Sequence, residues 1–303
     1  METQTLKAVA SFAIRIITLS AALAGVADAT EGGGTVVPIG VQTIASGVLQ
    51  DPGDYLLNYN TWIYASSFPN NDGKNSLPDG NLRVQAHSLR YLHVFENFKI
   101  AGGDTAFEIA SAYVDSNLGS LYANGHNSGI GDTSLGPSIG WHSATFHQMV
   151  SLLAVLPTGS YEATRAVNVG RNYYALQADY AASWFFARGW ELSGMFKMIF
   201  NAKNHSDGYK SGIETDLDYA LNYHMPYGFF AGAGGYWHNQ LTNDTLNGNL
   251  VDSNGYRVRD IAVGPQIGWG TQKYGGYLAW QHQVYARNTS KGDLLWLNAF
   301  VKF

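Results

Sequence analysis

From Glu214 to His224 the chain alternates without a break. Thr215, Leu217, Tyr219, Leu221 and Tyr223 fall on one side, and Glu214, Asp216, Asp218, Ala220, Asn222 and His224 on the other. A period of two is that of a strand with unlike faces. Three carboxylates on one such face restrict where the opposite face can lie. The pattern recurs in Trp190 to Asn201, where Leu192, Phe196 and Phe200 oppose Glu191, Ser193 and Lys197. It recurs again before Trp184, where Leu176 and Tyr180 oppose Gln177 and Asp179. Each run has about the ten residues that a tilted strand needs to cross the hydrocarbon layer. After residue 30 no stretch is apolar for long enough to cross as a helix. A membrane protein with this sequence must therefore cross as a closed β-barrel, because only closure satisfies every backbone polar group in lipid.

The two ends of the chain agree with that reading. Lys7 and Arg15 precede an apolar run from Ile16 to Val26, followed by Ala27-Asp28-Ala29. That order reads as a signal peptide over 1–29, cleaved after Ala29. The run, at about eleven residues, is too short for the roughly twenty of a spanning helix. At the other end Leu295, Leu297, Ala299, Val301 and Phe303 form an apolar face opposite Trp296, Asn298, Phe300 and Lys302. The closing Phe303 reads as a barrel-assembly signal, which implies the export and barrel-assembly machineries as partners, along with outer-membrane lipid. Charged residues make up only 14 % of the chain, against about 25 % in soluble domains. Nineteen Tyr and eight Trp are available for interfacial girdles. The absence of Cys excludes thiolate metal sites and cysteine nucleophiles. No basic stripe or nucleic-acid motif is present, so nucleic acid is not expected as a partner.

Twelve strands are predicted, at about 53–65, 82–96, 104–114, 131–141, 145–155, 172–185, 190–201, 210–223, 229–240, 257–269, 275–286 and 293–303. The connections 66–81, 115–130, 156–171, 202–209 and 241–256 are long and polar, whereas those between them are short. This is the expected arrangement of an all-β antiparallel barrel with short periplasmic turns and long outer loops, in the bacterial outer membrane. A soluble barrel or sandwich would carry the same alternation with the faces exchanged. Segment 30–52 contains Gly32-Gly33-Gly34 and lacks strand alternation. It reads either as a periplasmic lead-in or as a plug in the lumen, ahead of a barrel over 53–303.

Several segments together resemble an outer-membrane family named for the meta-pathway of phenol degradation. They are Pro52-Gly53-Asp54-Tyr55-Leu56-Leu57-Asn58-Tyr59, Gly129-Ile130-Gly131-Asp132 leading to Pro137, and Leu156-Pro157-Thr158-Gly159-Ser160-Tyr161. Gly189-Trp190-Glu191-Leu192-Ser193, Tyr209-Lys210-Ser211-Gly212, Gly264-Pro265-Gln266 and the closing Gly292-Asp293 strand continue the match. The resemblance implies a transporter-like barrel that passively admits small hydrophobic or aromatic compounds. It carries no catalytic motif to transfer.

Glu214, Asp216 and Asp218 are too costly to place in lipid and are expected to face the lumen. If 202–209 is a simple hairpin, Lys197 and Glu191 join them on the inner face, and Asp179 continues the lattice on the next strand. Lys302 is expected inward on the last strand. These residues either brace the barrel or form a solute-selective constriction. His142-Ser143 with His147 raises the alternative of a lipid hydrolase, but no G-x-S-x-G elbow or nearby acid supports it. His205, His224, His238 and His282 lack metal-ligand spacing. The Gly119–Gly131 stretch reads as a mobile outer loop, or as one folding inward to narrow the pore. The overall expectation is a barrel without enzymatic activity, cofactor or metal. The other readings are a structural or adhesive barrel without transport, and an outer-membrane lipid hydrolase.

Overall fold

The computed structural model describes residues 33–121, 123–252 and 254–303. The proposed signal peptide over 1–29, with its cleavage after Ala29, lies outside the described residues. The chain forms a closed antiparallel barrel of twelve strands. In chain order they are β1 (Gly53–Ser67), β2 (Asn81–Ile100), β3 (Gly103–Gly119), β4 (Gly125–Ile130 continued by Thr133–His142), β5 (Phe146–Leu156) and β6 (Ala175–Phe186). They continue with β7 (Trp190–Asn201), β8 (Glu214–His224), β9 (Phe229–Gln240), β10 (Arg259–Gly270), β11 (Tyr274–Arg287) and β12 (Lys291–Lys302). Every strand pairs with its chain neighbours, and β1 pairs with β12 from Tyr55↔Lys302 to Ser67↔Lys291 to close the ring.

The faces are those of a membrane barrel. Leu176, Tyr180 and Trp184 on β6 and Leu192, Phe196 and Phe200 on β7 are exposed, while Gln177, Asp179, Glu191 and Lys197 between them are buried. A soluble barrel would need the reverse. On β12, Leu295, Leu297 and Val301 point outward, with Phe303 exposed just past its end, and Trp296 and Asn298 point inward. The turns 101–102, 143–145, 187–189, 225–228 and 271–273 share one end with Phe303, whose N–H donates to the Asp54 carbonyl (3.0 Å). This short-turn end is the periplasmic one. The tightest turn places both Ala101 (φ 48°) and Gly102 (φ 77°) in the left-handed region, the geometry that suits the twist of a two-residue hairpin.

The reading of 115–130 as an outer loop is corrected. β3 runs on to Gly119 and pairs with Gly125–Ile130 from Leu118↔Gly125 to Tyr113↔Ile130. The connection shrinks to 120–124, and its polar residues belong to a hairpin that continues the ladder. Loop length read from polarity overestimates a loop wherever paired strands extend past the apolar belt.

Phe303 ends the outward face beside the β1–β12 seam. Replacing it with Asp is expected to lower the fraction of heat-modifiable, outer-membrane-fractionating protein several-fold. Unchanged assembled levels would remove its role as an assembly signal.

Candidate functional site

Residues 34–52 lie inside the barrel. Gly33 is at the outer mouth, where its carbonyl accepts from Thr289 Oγ1 (2.8 Å) in the β11–β12 turn. At the other end the Asp51 carbonyl accepts from Tyr55 Oη (2.6 Å) at the start of β1. Irregular backbone at membrane depth is tolerated only where protein satisfies its polar groups. Here lumenal side chains do so. Asp218 accepts from Gly40 N–H (2.6 Å) and Gln42 N–H (2.8 Å), Glu191 from Ala45 N–H (2.6 Å), and Ser183 from Gly47 N–H (2.9 Å). Tyr277 Oη donates to the Val41 carbonyl (2.5 Å) and Gln281 to that of Gly40 (2.8 Å). Gly40 itself has φ +78°, and a Cβ there would lie 2.6 Å from the Tyr236 ring.

The apolar side chains of this segment anchor three clusters. Val37 packs with Val155, Ala175 and Ile199. Val41 packs with Tyr236, Ala262, Leu294 and Trp296. Leu49 packs with Tyr55, Leu92, Val94, Met149 and Met195, low in the barrel. The segment leans on the β6–β12 side, and the other side of the lumen remains open above Leu49. A cavity of about 660 Å³ lies there, lined by the inner faces of β1 to β3 and β5, by charged residues of β6 and β7 and, at the outer end, by residues 161–171.

Of the charged residues singled out from sequence, Lys197, Asp216 and Asp218 meet directly, Glu214 and Glu191 head separate networks on either side of them, and Lys302 stands apart. Lys197 donates to Asp216 Oδ2 and Asp218 Oδ2 (2.8 Å each) and to the Pro38 carbonyl (3.1 Å), and all three side chains are almost fully buried. β7 and β8 pair Lys197 with Asp216 and Glu191 with Asn222, which brings the two inner faces side by side. Glu214 accepts from Asn201 (2.7 Å) and meets His238 Nε2 (3.0 Å), whose Nδ1 lies 2.9 Å from Asp260. Asp260 also accepts from Tyr236 (2.8 Å) and Gln283 (3.0 Å). Glu191 takes Ser193 (2.5 Å) on one oxygen and His224 (2.5 Å) on the other. Asp179 lies on β6 opposite Lys197 in the ladder, but its oxygens are held by Gln177 (2.9 and 2.8 Å). Lys302 lies over the Tyr55 ring at 5.3 Å, near the periplasmic end and away from this lattice.

Several residues of the site were not singled out from sequence. Arg90 on β2 pairs with Glu108 on β3 and reaches Tyr59 Oη (3.4 Å). His238 and Asp260 join the Glu214 network. Arg90 was legible in principle, since it shares the face of Leu82, Val84, Ala86 and Ser88. The partner of Arg90 depends on register, which alternation leaves free. At the periplasmic turn His142 and His147 approach through their Nδ1 atoms (2.9 Å), whereas Ser143 Oγ bonds the Phe146 backbone. No nucleophile–base pair forms among these residues. Among the described residues no cluster of three or more His, Asp or Glu has metal-binding geometry.

A closed twelve-stranded barrel with a lipid-facing apolar surface and an occupied, charged lumen defines an outer-membrane β-barrel protein. The chain belongs to the family described as "Putative MetA-pathway of phenol degradation", which it matches over residues 65–299. No curated protein sequence matches it. Among solved structures it resembles the COG4313 outer membrane channel from Pseudomonas putida F1, at 16 % identity and a TM-score of 0.75, covering 88 % of this chain and 100 % of that one. It also resembles the β domain of the Bordetella autotransporter BrkA, at 9 % identity and a TM-score of 0.50, covering 84 % and 100 %. At these identities the likeness concerns the fold.

Proposed function

We propose that the barrel admits small hydrophobic or aromatic compounds across the outer membrane, passively and without enzymatic chemistry. The observation that carries this reading is the cavity of about 660 Å³ beside residues 34–42, where Ile63, Leu82, Val84, Ala86, Ala112 and Val114 of β1 to β3 present an apolar stretch of wall. Its size falls in the range of sites for organic ligands, roughly 300–1,000 Å³. The family name associates the chain with aromatic degradation, which agrees with an apolar solute. Below the cavity the Leu49 cluster separates it from the periplasm, so passage requires part of the segment to move aside.

The test is flux of toluene or phenol into liposomes holding the refolded protein, together with growth of cells on limiting phenol with and without the gene. Faster entry than in protein-free liposomes, and slower growth without the gene, are expected. A sealed barrel with no gain in permeation would favour the structural reading, which the filled lumen also suits.

A further inference from the structure

The outward face of β1 and β2 breaks the pattern of the other walls. Tyr55, Thr61 and Ala65 on β1 and Leu92 and Val94 on β2 are buried inward, so Asn58, Asn60, Gln85 and His87 point to the lipid side. Asn60 lies opposite Leu297 of β12 in the ladder, and Trp62 opposite Leu295, both leucines exposed to lipid. On the other side of β1, Asn60 lies opposite His87, and Trp62 opposite Gln85. These polar side chains thus stand in the belt that β6, β7 and β12 fill with apolar ones. The ladders beneath them are continuous, from Gly53↔Val94 to Ala65↔Leu82 and from Asn81↔Gly119 to Val94↔Ala106. They therefore mark a surface of the wall and not an opening in it.

Asn60 Nδ2 donates to the Leu297 carbonyl (2.9 Å) and to Asn58 Oδ1 (2.6 Å), which leaves Asn60 Oδ1 to meet His87 Nδ1 at 2.7 Å. An amide oxygen only accepts, so His87 carries its proton on Nδ1. The relay ends at His87 Nε2, an acceptor with no partner among the described residues. Gln85 and Tyr113 are exposed beside it, Tyr113 opposite His87 in the β2–β3 ladder. The Trp62 indole stands edge-on to the imidazole, with ring centres 6.0 Å apart. None of these three side chains makes a hydrogen bond to a described residue. Hydrocarbon offers them neither donor nor acceptor. Polar side chains at this depth characteristically bond to another protein surface.

The patch itself sets which surface fits. It holds an acceptor at His87 Nε2, donors at Trp62 and Tyr113, and both at Gln85. It is therefore complementary to its own image about a two-fold axis along the membrane normal. Toward the outer rim Arg83 and Asp115 stand on neighbouring strands with opposite charge, so two such faces do not bring only like charges together. From this we infer that the outward face of β1 to β3 is a dimer interface within the outer membrane. Its occupant is a second copy of this chain, with His87 and Gln85 beside the axis. The lumen takes no part in the contact, so the inference stands apart from the reading of the barrel as a passage.

The chain has no Cys, so a single introduced thiol reports alone. In cell outer membranes, Gln85→Cys is expected to give a disulfide-linked dimer of the chain on oxidation. Trp237→Cys, outward on β9 across the barrel, is expected to give none. In liposomes, energy transfer between copies labelled at Asp72→Cys, in the exposed outer connection, is expected to fall as lipid is added. Gln85→Leu and His87→Leu suit lipid better than the parent side chains. Each is expected to move the midpoint of that fall roughly tenfold toward higher protein-to-lipid ratio, because a two-fold axis removes every contact twice. Heat-modifiable mobility serves as the check that each variant is folded, and Gln85 has no internal hydrogen bond to lose. A monomer at every protein-to-lipid ratio or equal cross-linking at Trp237→Cys would overturn the inference. So would an unchanged midpoint in both Leu variants, or a different protein cross-linked at Gln85→Cys in place of a second copy.

Discussion

Deleting residues 35–50 is expected to raise single-channel conductance on the order of tenfold, from that of an occupied lumen to that of an open barrel of this strand number. The segment contributes all three apolar plugs of the interior, at Val37, Val41 and Leu49, and its backbone is tied to Asp218, Glu191 and Ser183. Once it is gone, water replaces its N–H groups on those side chains, so the ring of strand ladders that closes β1 on β12 is retained. Leu49→Gly is a milder version. It removes the side chain that packs against Tyr55, Leu92, Met149 and Met195, and is expected to connect the cavity to the periplasm with a smaller rise in conductance. Planar-bilayer recordings of both variants would read this. Deletion without any change in conductance would mean that the segment is not what closes the lumen.

The second large effect concerns stability. Lys197→Met leaves Asp216 and Asp218 in a site with no exposure and removes the cation that bridges them. Removing one partner of a buried ion pair costs about 3–5 kcal/mol, since the remaining charge has lost its water without compensation. Asp216 Oδ1 already has no partner in the intact protein. The variant is expected to unfold at markedly lower urea concentration in detergent, and to lose its heat-modifiable band at lower temperature. Adding Asp216→Asn should recover part of the loss, because one of the two stranded charges is then removed. A Lys197→Met barrel as stable as the parent would show that the lattice is well hydrated.

Much of the fold was legible because a transmembrane barrel is written in periodicity. Glu214, Asp216 and Asp218 had to face away from lipid, and alternation then oriented Leu217, Lys197 and the rest of two strands. What alternation cannot give is register and through-space pairing. Arg90 with Glu108, and His238 with Asp260, join residues 18 and 22 apart whose meeting depends on hairpin register. The 30–52 stretch was ambiguous for a related reason. An irregular segment has no period, and the groups that hold it, such as Gln281 and Tyr277, lie more than two hundred residues away in sequence. Lys302 was oriented by the same alternation, but its height near the periplasmic rim keeps it from the buried carboxylates.

The path of the inner segment has a consequence for biogenesis. It enters the lumen directly ahead of Gly53, the first residue of β1, and runs up to the outer mouth at Gly33. The seam that closes the ring joins that same β1 to β12, the first strand made to the last. The strap and the seam thus share β1, and a slip of β1 against β12 would shift the height of every lumenal tie that follows from Gly53.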